Sequence, residues 1–503
     1  MTGLISIDNP EFIENIGELM RDEFNVDQQL AIFALKNKLG EIIKCLRENI
    51  VVFIEPDYVD RVYRDSYYNY FSSKAEIISR DCIRLSFLDN SSGVFSGRTN
   101  IDYNMCDDVS KNYLGFVIIR PTVPAVIGRS AISPKALKVH DFKCCLSPIS
   151  STVNGFKVKV EAFPFSSQDR ETITCAETSV WALMEYYGNK YPEYSPVKPS
   201  DIIHNLKNNI VSRQLPSNGL TVRNVTFALK TFGFGPQLYE YSSFGDHSSS
   251  ILSCYIESGI PVVVALSNAG SEKRRINHAV LCIGHENVSQ ENVVSGFANK
   301  HEELLVDGGK LRFLDYDKID KRFVFIDDNC PPYQKDLLSS PANRYSGMLE
   351  WNACRIANFI APLYRHIYME PFVVKDYVRI LISNYYSHLK GEDIVVRTYL
   401  CSTRSFRHFA NTSAMSNEMK DVISRAYMPK FIWIAEISKI ENFQNGLVDN
   451  LIIVDATSCE TSNLSPLIVA FVDGACYCKN PKTRTFGSYI IATKQFNSYS
   501  NLR

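Results

Sequence analysis

Four short segments of the 503-residue chain carry side chains able to act together on a carbonyl group. Cys175 lies in Thr174-Cys175-Ala176-Glu177, and a cysteine thiolate is a strong nucleophile. His278 opens the run His278-Ala279-Val280-Leu281-Cys282-Ile283-Gly284, and an imidazole so placed can take up a proton and return it. Asp327 and Asp328 close Phe323-Val324-Phe325-Ile326, where one carboxylate can hold the imidazole in a single tautomer. Gln168 carries an amide that can donate to an oxyanion. The chemistry these types describe together is acyl transfer through a thioester.

The elements around them are legible. After Cys175 the apolar residues Val180, Leu183, Met184 and Tyr187 fall at i, i+3, i+4 and i+7, which predicts an amphipathic helix with one buried stripe. Thr174 is its expected N-cap, Glu177 completes a capping box, and Gly188 is the expected stop. Cys175 then occupies the first turn, where unpaired amides and the helix dipole favour an anionic sulfur. Its amide and the Gln168 side chain supply two oxyanion donors, and the small Ala176 and Ser179 leave room for a carbonyl. His278 is expected at the start of a strand. Alternation along the second strand predicts Asp327 and Asp328 on opposite faces, so that only one points at the histidine. Blander readings stand beside these: a buried cysteine at a helix start, a polar strand end with His285 as a second histidine, and an Asp-Asp-Asn turn.

The order of these landmarks resembles the papain-like cysteine peptidases of the C39-like type. Gln168 precedes Cys175; the helix ends in Tyr186-Tyr187-Gly188; Gly219-Leu220-Thr221 opens a helix closing at Phe232-Gly233; Gly259-Ile260-Pro261-Val262 follows; then come Asn277-His278-Ala279-Val280 and a strand ending in Asp327. The resemblance covers about residues 165–335 and implies a papain-like fold there. It implies Cys175 as nucleophile, His278 as base and acid, Asp327 or Asp328 as orienting group, and Gln168 as oxyanion donor. It also implies a peptide or isopeptide substrate and no cofactor. The polar stretch Glu286–Asp320 reads as an insertion between histidine and acid. The alternatives are an inactive scaffold that binds or regulates, and an amide-forming acyltransferase with the same residues.

Composition limits the rest. Lys plus Arg number 54 and Asp plus Glu 55, a net charge of −1 that argues against coating nucleic acid or an anionic membrane. The acidic start and the lack of a long apolar run predict neither a secretory leader nor a membrane span, hence a cytoplasmic protein. Fourteen scattered cysteines do not suggest a disulfide framework, and Cys144-Cys145 and Cys476-Tyr477-Cys478 lack partners at zinc-finger spacing, so no metal is expected. Asp246-His247 has no Gly-x-Ser-x-Gly elbow to serve.

The texture predicts a multidomain α+β protein in three consecutive regions. Residues 1–150 begin with helices and continue as strands, 151–340 hold the peptidase-like part, and 341–503 form a second α+β region suited to a substrate or partner. Pro148–Gly155 reads as a joint and 350–390 as helical. The cluster Tyr58, Tyr63, Tyr67, Tyr68, Tyr70 and Phe71 reads as a helix packed on a sheet, with Arg61 and Arg64 solvated.

Overall fold

The computed structural model describes residues 3–209, 214–245, 247–269, 275–459, 465–480, 483 and 485–503. Asp246 lies outside the described residues. The chain is α+β and divides into two compact units, one of Met1–Phe234, Val263–Ile283 and Phe323–Ile360, the other of Gly235–Val262, Gly284–Arg322 and Ala361–Arg503. Both are discontinuous, a different partition from three consecutive regions. Cys175, His278, Asp327, Asp328 and Gln168 all belong to the first unit.

That unit opens with two helices. Phe12–Phe24 turns Phe12, Ile16, Leu19 and Met20 into the core and ends at Asn25, whose φ of 53° lets its amide reach the Arg21 carbonyl. Gln28–Cys45 is capped by Asp27, whose carboxylate accepts from the Leu30 amide. A seven-stranded antiparallel sheet follows, in the order Gly3–Ser6, Ile50–Tyr58, Cys82–Asp89, Tyr113–Ile119, Ser130–Ile132, Phe156–Phe165, Ser147–Val153. The joint expected at Pro148–Gly155 is a hairpin within this sheet. Asn154 and Gly155, at φ 46° and 82°, form the tight two-residue turn that strand twist favours, between Val153 and Phe156.

A second sheet places Gln334–Asp336 beside Phe323–Ile326, then Asn277–Glu286, Val262–Ser267 and Arg355–Leu363. The last of these falls in the stretch expected to be helical. Ile356, Phe359, Ile360 and Leu363 have helical spacing, yet they pair as a strand whose register slips opposite Ala265 and Leu266, leaving Ala357 as an extra residue. The bulge disguises the strand period.

The helix Cys175–Lys190 is the central element of the first unit. Every residue from Ala176 to Tyr187 is buried, so the expected single apolar stripe is instead a helix enclosed on all sides. Glu185, on the face expected to be polar, is satisfied by Arg61 at 2.6 and 2.7 Å. Arg61 is therefore a structural partner while its side chain stays exposed as expected, whereas Arg64 is largely covered and pairs with Asp81. Gly188 does not end the helix. A Cβ there would lie 2.4 Å from Pro196, so the glycine serves close packing of the following loop.

In the second unit an eight-stranded sheet runs Glu302–Val306, Gly309–Asp315, Asp393–Ser402, Phe431–Lys439, Asn450–Asp455, Leu467–Val472, Ala475–Lys479, Phe486–Ile490. One neighbouring pair, Gly309–Asp315 with Asp393–Ser402, is parallel. Buried Arg397 bridges Glu257 and Glu436, and buried Lys375 bridges Asp315 and Asp317. The Glu286–Asp320 stretch supplies the helix Gln290–Lys300 and the first two strands of this sheet. Among the described residues, no helix is long and apolar enough to cross a membrane.

Candidate active site

The cysteine is placed by the loop before it as much as by its helix. The Asp169 carboxylate accepts from the amides of Glu171, Thr172 and Ile173 at 2.7–2.9 Å, and Arg170 adopts φ 65° to make the turn. The capping box forms as the sequence predicts, with the Glu177 carboxylate accepting from the Thr174 amide and hydroxyl. Ser217 donates to the other oxygen of Glu177 and fastens the loop before Thr221 onto the helix start. Ser179 Oγ lies 2.8 Å from the Cys175 carbonyl and 3.4 Å from the Ala279 carbonyl, between helix and strand. Ser179 and Ala176 are thus buried against the core and do not open a path for a carbonyl. Cys175 itself keeps partial exposure.

The imidazole joins the two halves of the site. The Cys175 thiol is among the groups that raise the His278 pKa, and His278 Nε2 lies 2.9 Å from Asp327 Oδ1. With Nε2 committed to the carboxylate, Nδ1 is the nitrogen left for the thiol. The Trp351 ring stands edge-on to the histidine, centroids 5.2 Å apart, and Tyr345 stacks on Trp351 at 4.4 Å. Burial would push the His278 pKa down, but the charge and hydrogen bond of Asp327, the Cys175 hydrogen bond and the Asp328 charge together hold it well above its ordinary value.

Asp327 is held from every side. Its Oδ1 also accepts from the Asn329 amide at 3.0 Å. Its Oδ2 accepts from Arg344 Nε at 3.0 Å, Arg344 Nη2 at 2.7 Å and the Tyr345 hydroxyl at 2.8 Å. Arg344 is anchored in turn by Asp336 at 2.5 Å and the Pro341 carbonyl at 2.6 Å. Burial alone would raise the Asp327 pKa, yet His278, Arg344 and the Asn329 amide hold it far below the usual carboxylate range.

Asp328 has the opposite environment. The strand ends at Ile326, so Asp327 and Asp328 lie on the turn beyond it and alternation does not apply. Both carboxylates approach the same ring nitrogen, Asp328 Oδ1 at 3.7 Å. This corrects the expectation that only one could. Asp328 is 8% exposed, and neither of its oxygens has a hydrogen-bond donor among the described residues. Burial and the neighbouring Asp327 charge raise its pKa to about 7 against the pull of His278 and Lys38. It faces a cavity of about 390 Å³ lined also by Lys38, Asn329, Cys330, Arg344 and Met348.

Gln168 sits in the loop leading to the helix, and its Nε2 donates to Asn329 Oδ1 at 3.3 Å. It is thereby tied to the turn that carries both carboxylates. His285 is elsewhere: it belongs to the second unit, where Nε2 lies 2.5 Å from Glu257. His278, Asp327 and Asp328 bring ligand atoms within 4.8 Å of one another, close enough to share a cation. The donor set fits a metal poorly, because all the lone pairs Asp327 directs inward are taken and the Arg344 guanidinium adjoins it at 2.7 Å.

Arg344, Tyr345, Trp351 and Asn329 were not legible as site residues. Asn329 follows the Asp pair directly, and Trp351 is one of only three tryptophans. Nothing in the spacing singles out Arg344. No known family model matches this chain, and no curated protein matches it either.

Proposed function

We propose that the first unit is a thiol hydrolase of papain-like type that cleaves a peptide, isopeptide or related amide bond. The observation that carries this reading is a buried imidazole whose Nε2 lies 2.9 Å from the Asp327 carboxylate and whose charged form the Cys175 thiol helps to favour. In the reaction the thiolate attacks the carbonyl carbon and forms a C–S bond. Helix-start amides stabilise the oxyanion, with Gln168 as a second donor after it releases Asn329. Protonated His278 delivers its proton to the nitrogen as the C–N bond breaks and the amine leaves. Neutral His278 then takes a proton from water, which attacks the thioester and frees the acid and the thiol. Asp327 holds the ring in one tautomer throughout and stabilises its charged form, and Arg344 and Tyr345 keep Asp327 ionised. No step calls for a cofactor.

The test uses the full chain and an electrophilic peptide epoxide. The reading expects one adduct by intact mass, mapped to Cys175, and none in His278→Ala. Adducts spread over several cysteines, or equal labelling of the two proteins, overturn it and favour a binding scaffold.

A further inference from the structure

The two acids beside His278 differ in what surrounds them, and the difference points to a division of labour. Asp327 has every inward lone pair occupied and keeps its charge under all ordinary conditions. Asp328 is more than nine-tenths buried, has no donor among the described residues, and stands 3.7 Å from the nitrogen that Asp327 already holds. A carboxylate placed so adds little to the orientation of the ring, since the Nε2 proton points at the shorter contact. Its charge still acts through space, and in a buried site that action is strong.

We propose that Asp328 is a charge-tuning positioning residue, whose ionisation favours the imidazolium–thiolate form of the His278–Cys175 pair and whose protonation relaxes that pair to its neutral form. This rests on the hydrolase reading and deepens it. The geometry supplies both states. Ionised, Asp328 faces the imidazole on one side and the cavity on the other. Protonated, it becomes a hydroxyl donor, with Asn329, Ser166 and Ser167 lining the same cavity. Burial and the Asp327 charge place the change near neutrality, where Asp327 does not titrate.

The charged and titratable groups that face Asp328 are few. His278 and Asp327 lie on the catalytic side. Lys38, Glu41 and Cys45 of the Gln28–Cys45 helix, with Cys330, Arg344 and Tyr345, line the cavity side. Lys38 is committed to the Asn329 carbonyl at 3.0 Å, and Arg344 to Asp327 and Asp336. Burial pushes the Cys330 thiol up to about 12 and raises Cys45 and Tyr345 as well. Of the groups facing the cavity, Asp328 is thus the one whose raised pKa falls near neutrality.

The sign follows. A negative charge at 3.7 Å from Nε2 stabilises the charged ring more than it destabilises the sulfur on the ring's far side. Asp328→Asn is neutral at every pH and therefore imitates wild type at low pH only. The experiment compares iodoacetamide labelling of Cys175 in wild type and Asp328→Asn across pH, read by peptide mapping. In parallel the His278 ring is titrated by NMR in protein carrying isotope-labelled histidine. The proposal expects equal labelling at about pH 5.5, with wild type faster by several-fold to about tenfold at about pH 7.5. It also expects a His278 pKa lowered in the variant. A rate ratio constant with pH, with an unmoved His278 titration, overturns the proposal and leaves Asp328 a structural residue. The two readings fail separately. If Cys175 is not labelled ahead of the other cysteines in wild type, the hydrolase reading falls, and the NMR titration still decides whether Asp328 tunes His278.

Discussion

Replacing Arg344 with methionine tests whether this site depends on a buried ion network. Methionine keeps the length and apolar stem and removes the guanidinium. The wild-type side chain is 5% exposed and links two carboxylates that are 0% and 4% exposed. Removing one partner of a buried pair costs about 3–5 kcal/mol, because the stranded charge keeps its desolvation penalty. Asp327 retains His278, the Asn329 amide and the Tyr345 hydroxyl, so most of the loss falls on Asp336, and the lower end, about 3 kcal/mol, is expected at neutral pH. The pH dependence follows from Asp336. Burial already raises its carboxyl above the ordinary value against the pull of Arg344, so losing the guanidinium raises it further and the stranded group takes up a proton as pH falls. The gap between wild type and variant should therefore narrow as the pH is lowered toward about 4. Guanidinium unfolding followed by tryptophan fluorescence reads the effect, since Trp181 and Trp351 report on the first unit and Trp433 on the second. A loss under about 1 kcal/mol, or one unchanged down to about pH 3, refutes the reasoning.

Asp327→Asn keeps the shape but removes the charge at 2.9 Å from His278 and leaves Arg344 with Asp336 alone, so Cys175 alkylation near neutral pH should slow about tenfold or more and stability should fall by about 3 kcal/mol. Equal rates would show that the carboxylate does not support the pair. Gly188→Ala forces a methyl to within 2.4 Å of Pro196 and should destabilise by about 1–3 kcal/mol, seen in thermal unfolding; a neutral effect would contradict the close packing described. Trp351→Ala strips the ring that stands edge-on to His278 and opens the His278–Asp327 bond to water, so alkylation should fall while the fold persists by circular dichroism. An unchanged rate would show that the indole merely fills space.

What the sequence revealed divides by the physics involved. Local signals were legible: the capping box at Thr174 and Glu177, the first helices, and the β-branched runs Val51–Ile54, Ile83–Phe87 and Phe116–Ile119, which lie within longer strands. The grouping of His278 with the acid pair was legible because each stands at the end of a well-patterned strand. Features made by tertiary context were not. The central helix reads as amphipathic from the spacing of Val180, Leu183, Met184 and Tyr187, and only the fold reveals that Glu185 on another face meets Arg61 across 124 positions. The strand Arg355–Leu363 is hidden by a bulge that mimics helical spacing. The alternation argument for Asp327 and Asp328 fails because the strand stops at Ile326, and a strand end is set by pairing partners. Arg344 carries no local signature, since its role is defined by two carboxylates brought to it by the turn and the neighbouring strand.

The most direct measurement is the order in which the fourteen cysteines react with limiting iodoacetamide at about pH 6, in the native 503-residue chain. A thiol shared with a charged imidazole reacts where ordinary thiols are almost wholly protonated. The account predicts that Cys175 is labelled well before exposed Cys106 and Cys459, and that His278→Ala abolishes this lead. Labelling led by Cys106 and Cys459, or a Cys175 rate indifferent to His278, would contradict it.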